Sequence, residues 1–336
     1  MNPSVYKCPH LADLPLSSPG KTGWPWTEES SQLPGAMPDG SPWPKISVVT
    51  PSFNQGQFLE ETIRSVLLQG YPNIEFIIFD GGSTDNSLEV IKKYEQWLAY
   101  WVSEPDRGQS HAINKGIREA SGDILFWLNS DDLCLPDVFQ LVAGKFHANP
   151  AVSLVIGQAR LINVGGDVIG ELHSSFSTWE ELVTNPQNSV RQISSFFARR
   201  LFDEMGLVDE SLHIAMDTEL LVRFTQFHTP LILDGYLAAY RMQPDAKTYS
   251  HLLMGYEESD RTRVRYFYNK QLAGIYHRRS ADNWLSLSES DRLTASERVT
   301  CIWKGIQNRP SLIFLRDFWS SLKKLGLNLL GVTVPA

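Results

Sequence analysis

Residues 124–132 read Ile-Leu-Phe-Trp-Leu-Asn-Ser-Asp-Asp, a short apolar run that ends in two adjacent acids. The run predicts a buried β-strand, so Asp131 and Asp132 should lie at its carboxyl end, where a parallel α/β sheet keeps its ligand crevice. Two neighbouring carboxylates repel each other unless a positive charge lies beside them. Mg²⁺ and Mn²⁺ prefer carboxylate oxygens and often carry substrate phosphates. The stretch therefore predicts a divalent cation site, with an ordinary acidic loop as the alternative.

Three further apolar runs precede this strand, and stretches with helical spacing separate them. We predict four strands, at residues 46–50, 74–79, 100–102 and 124–128. We predict the intervening helices at residues 58–67, 87–94 and 111–120. This alternation is typical of an α/β fold with a Rossmann-like, mostly parallel sheet flanked by helices.

The pattern after residue 132 is weaker and mixes both element types. Helices are predicted at residues 136–146, 202–205 and 217–227, and strands at 153–162, 168–172 and 231–239. The first 44 residues are rich in Pro, Gly and Trp and predict an extended arm, whereas the residues from about 250 onward predict mostly helices. We therefore expect an arm (1–44), a globular domain (45–245) and a helical extension (246–336).

Composition limits the partners and the compartment. The chain has 336 residues and a net charge of −8, which gives it no general affinity for nucleic acid. Its cysteines, Cys8, Cys134 and Cys301, are too few and too scattered for a disulfide framework, so a reducing compartment fits best. We see no signal peptide and no apolar run of membrane-spanning length. These features predict a cytoplasmic protein.

Two strand ends in the first half carry groups that could recognise a nucleobase. Asp80 follows the second strand, and its carboxylate could accept a hydrogen bond from the imide N–H of uracil or thymine. The alternative for Asp80 is a turn former ahead of two glycines. The backbone of Pro51 to Asn54 could hold a pyrimidine with Phe53 as an apolar face, and a plain turn is the alternative.

Three further residues could act on a substrate. Asp106 could contact a nucleoside or simply cap the following helix, and Arg107 could meet phosphate or remain solvated. Asp217 opens a predicted helix, where a carboxylate can act as a cap or as a general base for an acceptor hydroxyl. We prefer Asp217 to Glu219 as the base, because a residue two positions on points to another face of the helix.

Six motifs together resemble the family 2 glycosyltransferases, the large inverting group with the GT-A fold. The resemblance covers residues 45–245, and the ordered series is far more specific than any one motif. In chain order the motifs are Thr50-Pro51-Ser52-Phe53-Asn54, Asp80-Gly81-Gly82-Ser83-Thr84-Asp85, Ser103-Glu104-Pro105-Asp106-Arg107-Gly108-Gln109, Asn114-Lys115-Gly116, Asn129-Ser130-Asp131-Asp132 and Ala215-Met216-Asp217.

The resemblance implies a role for each matching residue. Residues 45–135 would bind a nucleoside diphosphate sugar and residues 136–245 the acceptor. Asp132 would hold Mg²⁺ or Mn²⁺ with help from Asp131, and Asp217 would be the catalytic base. The implied contacts to the nucleotide sugar are Thr50, Pro51, Phe53, Asp80, Asp106, Arg107, His111, Asn129 and Asp131.

Two positions depart from the family pattern. The family often has an acid where this chain has His111, which weakens the nucleoside contact expected there. Members also often carry a metal-binding His shortly after an Arg near the end of the domain, and here the corresponding stretch reads Tyr240-Arg241-Met242-Gln243-Pro244. Gln243 could ligate the cation through its amide oxygen, but more weakly than a His.

The expected function is that of a metal-dependent hexosyltransferase that works with inversion. It would move a sugar from a UDP- or dTDP-linked donor to a hydroxyl of a glycan or lipid-linked acceptor, in polysaccharide or glycolipid assembly. The alternatives are an inactive nucleotide-sugar-binding protein and a sugar-nucleotidyl transferase, although residues 51–56 lack the basic residue of a triphosphate-binding loop.

The C-terminal extension has its own charge balance. Residues 251–336 hold 13 Lys and Arg against 8 Asp and Glu. Its last part, residues 311–336, places apolar residues among basic ones. It could make a peripheral contact with the inner face of an anionic membrane. The alternative is a helix packed on the catalytic domain or in a homodimer.

Overall fold

The computed structural model describes residues 8–17, 19–185, 190–243, 246–247 and 251–314. The chain divides into two compact units. The first unit comprises Met1–Phe176 and Val190–Leu252, and the second comprises Ser177–Ser189 and Leu253–Ala336. The residues of the expected arm thus belong to the same compact unit as the sheet.

Nine strands among the described residues form one sheet in the first unit. Its order is β3-β2-β1-β4-β8-β6-β9-β5, and β7 pairs with β6. The strands are β1 (Ile46–Ser52), β2 (Ile74–Asp80), β3 (Tyr100–Ser103), β4 (Ile124–Trp127), β5 (Leu133–Cys134), β6 (Leu154–Ile162), β7 (Val168–Leu172), β8 (Ser195–Ala198) and β9 (Leu231–Arg241). The first four are parallel to one another, and β8 continues the sheet antiparallel to β4.

Helices flank this sheet. In the first unit they are α1 (Gly56–Leu67), α2 (Ser87–Tyr94), α3 (Gln109–Glu119), α4 (Val138–Ala148), α6 (Arg199–Met205) and α7 (Met216–Thr225). The second unit contains α5 (Trp179–Thr184), α9 (Lys270–Ser288), α10 (Ala295–Asn308) and nearly all of α8 (Leu252–Val264). The predicted α/β class with a central sheet flanked by helices is confirmed, and the sheet is parallel among β1 to β4 and mixed beyond them, whereas β5, β8 and α5 were not predicted.

Apolar side chains on both faces of the central strands form the core. All seven residues of β1 are buried, which explains why its sequence is a run of apolar and small residues rather than an alternating pattern. Phe126 of β4 stacks on Phe196 of β8 at 4.1 Å between ring centroids, and Phe139 of α4 meets both rings edge-on. Each such buried side chain contributes about 1.5–3 kcal/mol of transfer free energy.

Arg64 of α1 fixes the N-terminal residues to the first unit. Its side chain is almost fully buried, and it donates hydrogen bonds to the carbonyl oxygens of Pro15 (3.0 Å), Pro25 (3.1 Å) and Trp26 (3.2 Å). Its guanidinium also lies 5.3 Å from the centre of the Trp26 ring. A buried charge must be paired in this way to be tolerated, so the segment is held by specific contacts.

A partly buried acid, Asp260, joins two helices of the second unit. The carboxylate of Asp260 on α8 accepts hydrogen bonds from Tyr276, Ser280 and Trp284, all on α9.

No helix in the described part of the chain has the length and apolar character needed to cross a membrane. Residues 315–336 lie outside the described residues, so the predicted membrane or dimer contact of that segment stays a prediction.

Candidate functional site

The parallel register brings several loops to one edge of the sheet. Ser52 at the end of β1 pairs with Asp80 at the end of β2, and Asp80 pairs with Ser103 at the end of β3. Val49 of β1 pairs with Trp127 at the end of β4. The loops that follow these strands, residues 53–55, 81–86, 104–108 and 128–132, therefore meet there. We call this the carboxyl edge.

The two acids after β4 have different surroundings. Asp132 is fully buried, and its Oδ1 accepts a hydrogen bond from the backbone N–H of Arg241 (3.0 Å) while its Oδ2 accepts one from Asn129 (3.2 Å). Asp131 keeps some exposed surface, and its Oδ2 accepts a 2.6 Å hydrogen bond from the amide of Gln243. Burial raises the pKa of both carboxyls, and the charge of Asp131 raises that of Asp132 further.

Arg241 lies directly behind this pair and is 1% exposed. Its Nε donates to the carbonyl oxygen of Asp131 (2.9 Å), and its Nη2 donates to Glu61 (2.8 Å). Its Nη1 donates to the carbonyl oxygens of Asn163 and Val164, both at 3.1 Å. This guanidinium therefore makes its hydrogen bonds within the protein. It shapes the loop of the two acids, a role that the sequence analysis did not assign to it.

The donor atoms at this edge fit a cation that shares its coordination with substrate. Among the described residues no group of three or more His, Cys, Asp or Glu could hold a metal. Mg²⁺ typically keeps several waters and binds through one or two carboxylates plus substrate phosphates, and Asp131 can supply one such carboxylate. The sequence analysis gave Asp132 the leading role, but Asp132 is fully buried and each of its oxygens accepts a hydrogen bond inside the protein, whereas Asp131 keeps exposed surface. The geometry favours Asp131.

Gln243 lies beside Asp131, as a second ligand would. Its Nε2 donates to Asp131 and, at 3.1 Å, to Gln55. To ligate a cation through its oxygen, the side-chain amide of Gln243 would have to turn over. Which of its two end atoms is nitrogen and which is oxygen is assigned from the hydrogen-bond network.

Asp80 is 2% exposed and folds its own turn. Its Oδ1 accepts a hydrogen bond from the hydroxyl of Ser83 (2.5 Å). Its Oδ2 accepts from the backbone N–H groups of Gly82 (3.1 Å) and Ser83 (2.9 Å) and from the hydroxyl of Ser103 (2.6 Å). An ionised carboxylate has about four acceptor positions, so little capacity is left for a nucleobase. The geometry favours the turn-forming alternative over the base contact.

Phe53, Gly81 and Asp106 line one space at the carboxyl edge. Phe53 is 59% exposed, and Asp106 is held by a 2.7 Å hydrogen bond from the N–H of Gly108 to its Oδ1. A Cβ at Gly81 would lie 2.7 Å from Asp106 Oδ2 and 3.3 Å from the Phe53 ring, so a side chain there would displace the Asp106 carboxylate. An aromatic face and a carboxylate oxygen thus converge. Thr50 and Pro51, by contrast, are buried in β1.

Asn129 connects the two acids to helix α3. Its Oδ1 accepts hydrogen bonds from Trp127 (2.8 Å) and Gln109 (2.9 Å). Gln109 in turn accepts a 3.3 Å hydrogen bond from the ammonium of Lys247. Burial lowers the pKa of Lys247, and the nearby carboxylate of Asp106 opposes that shift. Asn129 therefore positions its neighbours, and Lys247 is a basic residue of this site that the sequence analysis missed.

Arg107 and His111 have partners other than the two acids. The exposed guanidinium of Arg107 forms a 2.7 Å ion pair with Glu210, in the loop that precedes α7. The ring of His111 accepts a 3.3 Å hydrogen bond from the backbone N–H of Arg107. These contacts favour a role in joining the two loops over the predicted phosphate and nucleoside contacts.

Asp217 is the second residue of α7 and accepts a 2.6 Å hydrogen bond from the N–H of Thr218. Burial raises its pKa, and the Thr218 bond and the positive charge of Arg191 oppose that shift. The Nε of Arg191 is buried without a hydrogen-bond partner among the described residues. The next residue, Gln192, donates a 2.6 Å hydrogen bond to the carbonyl oxygen of Trp127. Residues 191 and 192 thus act on both elements, since Gln192 bonds the end of β4 and the charge of Arg191 acts on Asp217 of α7.

Comparison with known proteins gives consistent matches. The sequence profile described as Glycosyl transferase family 2 matches residues 47–224. An uncharacterised glycosyltransferase of Mycobacterium tuberculosis is 35% identical over 204 residues, which cover 59% of this chain and 75% of that protein. The poly-β-1,6-N-acetyl-D-glucosamine synthase of Staphylococcus aureus is 26% identical over 201 residues, 58% of this chain and 47% of its own.

Among solved structures, the fold resembles that of Staphylococcus aureus TarS, residues 1–349. The TM-score is 0.56 at 16% identity, and the match covers 80% of this chain and 81% of that one. A crystal structure of the same protein in complex with UDP gives a TM-score of 0.54 at 17% identity. Similarity at this identity establishes a shared fold.

Proposed function

Because the chain belongs to glycosyl transferase family 2 and has the GT-A fold, we propose that it transfers a sugar, with inversion, from a nucleoside diphosphate sugar to an acceptor hydroxyl. The donor would be UDP- or dTDP-linked, and the acceptor a glycan or a lipid-linked glycan. The family gives the reaction class, nucleotide-sugar glycosyl transfer. The donor, the acceptor and the stereochemistry are our proposals.

The observation that supports it best is the convergence of three different chemistries at the carboxyl edge. Phe53, Gly81 and Asp106 offer a flat apolar face beside a carboxylate, which suits a nucleobase. Asp131 offers a carboxylate with exposed surface, next to an amide. Asp217 begins a helix and offers a carboxylate in the field of a positive charge. Base recognition, phosphate handling and proton removal are the functions that a glycosyl transfer needs.

We assign the nucleobase to the space between Phe53 and Asp106. Asp106 Oδ2 faces Gly81, and a carboxylate at that point can accept from the imide N–H of uracil or thymine. Asp80 then serves this pocket indirectly, because it fixes the Gly82–Ser83 turn that forms its wall. Aromatic stacking on a base is worth about 1–3 kcal/mol, which suits the exposed ring of Phe53.

We assign the cation to Asp131, with Gln243 beside it and substrate phosphates completing its shell. A bound Mg²⁺ or Mn²⁺ supplies Lewis acidity that offsets negative charge on the leaving diphosphate. Asp132, Asn129 and Arg241 contribute by holding the backbone and side chain of this loop in place. The buried contacts of Asp132 make its role structural in this proposal.

We assign general-base catalysis to Asp217. The acceptor hydroxyl must lose its proton as it attacks the anomeric carbon, and the transition state has oxocarbenium character. A base has to be ionised and within hydrogen-bond reach of that hydroxyl. Burial favours the neutral form of Asp217, so the positive charge of Arg191 supports the ionised form that catalysis requires.

A panel of nucleotide sugars tests this proposal directly. UDP-, dTDP- and GDP-linked sugars are incubated with the protein and Mn²⁺ or EDTA, and the released nucleotide is identified. UDP-N-acetylglucosamine belongs in the panel, because the staphylococcal relative is named as a synthase of an N-acetylglucosamine polymer. We expect Mn²⁺-dependent release of a nucleoside diphosphate and, by NMR of the product, a β-linkage from an α-linked donor.

The same panel identifies the competing functions. Release of pyrophosphate from an added nucleoside triphosphate and sugar 1-phosphate would indicate nucleotidyl transfer, and binding without turnover across donors and acceptors would indicate a nucleotide-sugar-binding protein. Retention of the α-configuration in the product would contradict the inverting mechanism while leaving the reaction class intact.

A further inference from the structure

Arg191 differs from the other two arginines of the site in its hydrogen bonds. Arg241 donates to carbonyl oxygens and to Glu61, and Arg107 is ion-paired with Glu210. The Nε of Arg191, by contrast, is buried and has no hydrogen-bond partner among the described residues. The rest of the side chain keeps some exposed surface. A charged group that is partly removed from water without a partner is costly, and in native structures such a group usually meets a ligand, a water or an ion.

The backbone of Arg191 is nevertheless held in place. Its N–H donates a 3.3 Å hydrogen bond to the hydroxyl of Ser174, and its carbonyl oxygen accepts a 2.7 Å hydrogen bond from the hydroxyl of Ser195 in β8. The adjacent side chain of Gln192 donates to the carbonyl oxygen of Trp127 at the end of β4 (2.6 Å). The guanidinium therefore extends from a backbone that is fixed to the central strands of the sheet. Its buried N–H without an acceptor is thus a feature of the site and not of a loosely held loop.

The charge of Arg191 acts on the residue that is to meet the acceptor. Asp217 and Tyr240 are the two groups whose charges act on its guanidinium, and Asp217 is the proposed base. A base has to lie within hydrogen-bond reach of the hydroxyl that it deprotonates. In an inverting transfer this hydroxyl attacks the anomeric carbon on the face opposite the leaving group. Asp217 and the diphosphate therefore belong to opposite faces of the donor sugar, and a positive charge that acts on Asp217 is placed to meet the acceptor.

We propose that Arg191 binds an anionic group of the acceptor, a carboxylate or a phosphate close to the hydroxyl that receives the sugar. This rests on the proposed function of the same site and on Asp217 as its base. The planar guanidinium presents parallel N–H groups that match two oxygens of either anion. The bound anion offsets the desolvation of the guanidinium, and it brings the attacking hydroxyl next to Asp217. The protein therefore selects acidic acceptors over their neutral counterparts.

Sugar binding to the protein saturated with UDP and Mn²⁺ tests this inference, because UDP then occupies the diphosphate site. Three probes are compared: methyl β-D-glucoside, its 6-phosphate and the corresponding glucuronide, which differ only at C6. Dissociation constants are measured by NMR titration at alkaline pH, where Asp217 is ionised in every variant. We expect the two acidic sugars to bind the wild type about 10-fold to 100-fold more tightly than the neutral one, because hydrogen bonds to charged groups have that value.

Variants of Arg191 show whether its guanidinium causes this preference. Arg191→Gln should reduce the affinity for both acidic sugars to that for the neutral one, and Arg191→Lys should recover part of it. Arg118→Gln is the control, since it removes an exposed arginine from α3 of the same unit, and it should keep the wild-type preference. A merely structural role of Arg191 would lower the affinity for all three sugars together.

UDP and uridine separate the acceptor from the other source of phosphate, which is the donor. Arg191→Gln should bind both ligands as the wild type does. A loss of UDP affinity with uridine binding unchanged would assign Arg191 to the diphosphate of the donor. A wild type without a preference for the acidic sugars, or a preference that survives in Arg191→Gln, would mean that Arg191 meets no acceptor anion. Each of these results overturns this inference alone, whereas a wild type that binds none of UDP, dTDP, GDP and ADP contradicts the proposed function as well.

Discussion

The loops after β1, β2 and β4 and the segments 190–192 and 240–243 reach the same edge of the sheet, but they have different roles there. The loops provide the carboxylates and the aromatic face, and each follows its own buried strand. The later segments provide the groups that act on the acids of the site: the N–H of Arg241 on Asp132, the amide of Gln243 on Asp131, and the positive charge of Arg191 on Asp217 of α7. The loops determine the positions of the carboxylates, and the later segments supply hydrogen bonds that oppose the rise in pKa caused by burial.

The largest effect should come from Asp217, the proposed catalytic base. Asp217→Asn keeps the size of the side chain but cannot accept a proton, so kcat should fall ~10²–10⁴-fold. The dissociation constant of the donor, measured by calorimetry, should stay within about twofold, because Asp217 does not contact the nucleotide in this mechanism. Glu219→Gln on the same helix is the control, since Glu219 pairs with Arg223 instead. Wild-type turnover in Asp217→Asn would remove the base assignment.

The next effect separates the two adjacent acids. Asp131→Asn should lower kcat/KM by about 10²–10³-fold in Mn²⁺, because Lewis-acid stabilisation of a leaving group is worth several kcal/mol. Its melting temperature without ligands should stay close to that of the wild type. The Mn²⁺-induced rise in melting temperature with UDP should vanish. If Asp131→Asn keeps that rise and Asp132→Asn loses it while remaining folded, the cation belongs to Asp132 as the sequence first indicated.

Asp132 should matter for folding more than for metal binding. Asp132→Ala leaves two donors without their acceptor, the N–H of Arg241 and the amide of Asn129, and each orphaned buried donor costs about 1–3 kcal/mol. The free energy of unfolding in urea should therefore fall by more than it does in Asp131→Ala, which orphans only the Gln243 amide. Equal stability of the two variants would contradict the structural role of Asp132.

The contrast between the acids also shows what a sequence can predict here. The strands, their parallel order and the carboxyl edge follow from local apolar runs and helical spacing, and these predictions are confirmed, as is the family. The state of each acid does not follow from local pattern. Asp132 is occupied by a backbone group 109 residues away, and Asp131 by an amide 112 residues away. Only the fold brings such groups together.

Short strands and single residues were missed for the same reason. β8 has only four residues, and the sequence around it carries no strand pattern. Its pairing with β4 and β6 nevertheless makes it a central strand of the sheet. Arg191 and Lys247 each stand in weakly patterned sequence, so nothing local distinguishes them from solvated surface residues. Asp80 was assigned to a nucleobase from its place at a strand end, yet its glycine-rich context already contained the turn that the structure has.

A smaller and pH-dependent effect should follow from Arg191. The carboxyl of Asp217 is active when deprotonated, and burial raises its pKa while Arg191 opposes the rise. Arg191→Gln removes that opposition, so the acid limb of the kcat–pH profile should move to higher pH, with activity recovered at alkaline pH. Arg191→Lys should keep the profile close to that of the wild type. A uniform loss of kcat at every pH would indicate that Arg191 supports the local structure and does not tune the base.

The smallest effect should come from Gln243, where two contributions oppose each other. Gln243→His offers the cation an imidazole nitrogen, a better ligand for Mn²⁺ than an amide oxygen. It also removes the 2.6 Å hydrogen bond to Asp131, which costs about 0.5–1.5 kcal/mol. The net gain in Mn²⁺ affinity with UDP bound should therefore be about tenfold or less, measured by titration against Gln243→Ala. If Gln243→His binds Mn²⁺ no better than Gln243→Ala, position 243 lies too far from the cation to ligate it. In that case its amide serves only to hold Asp131, and the later segments act on the loops through hydrogen bonds alone.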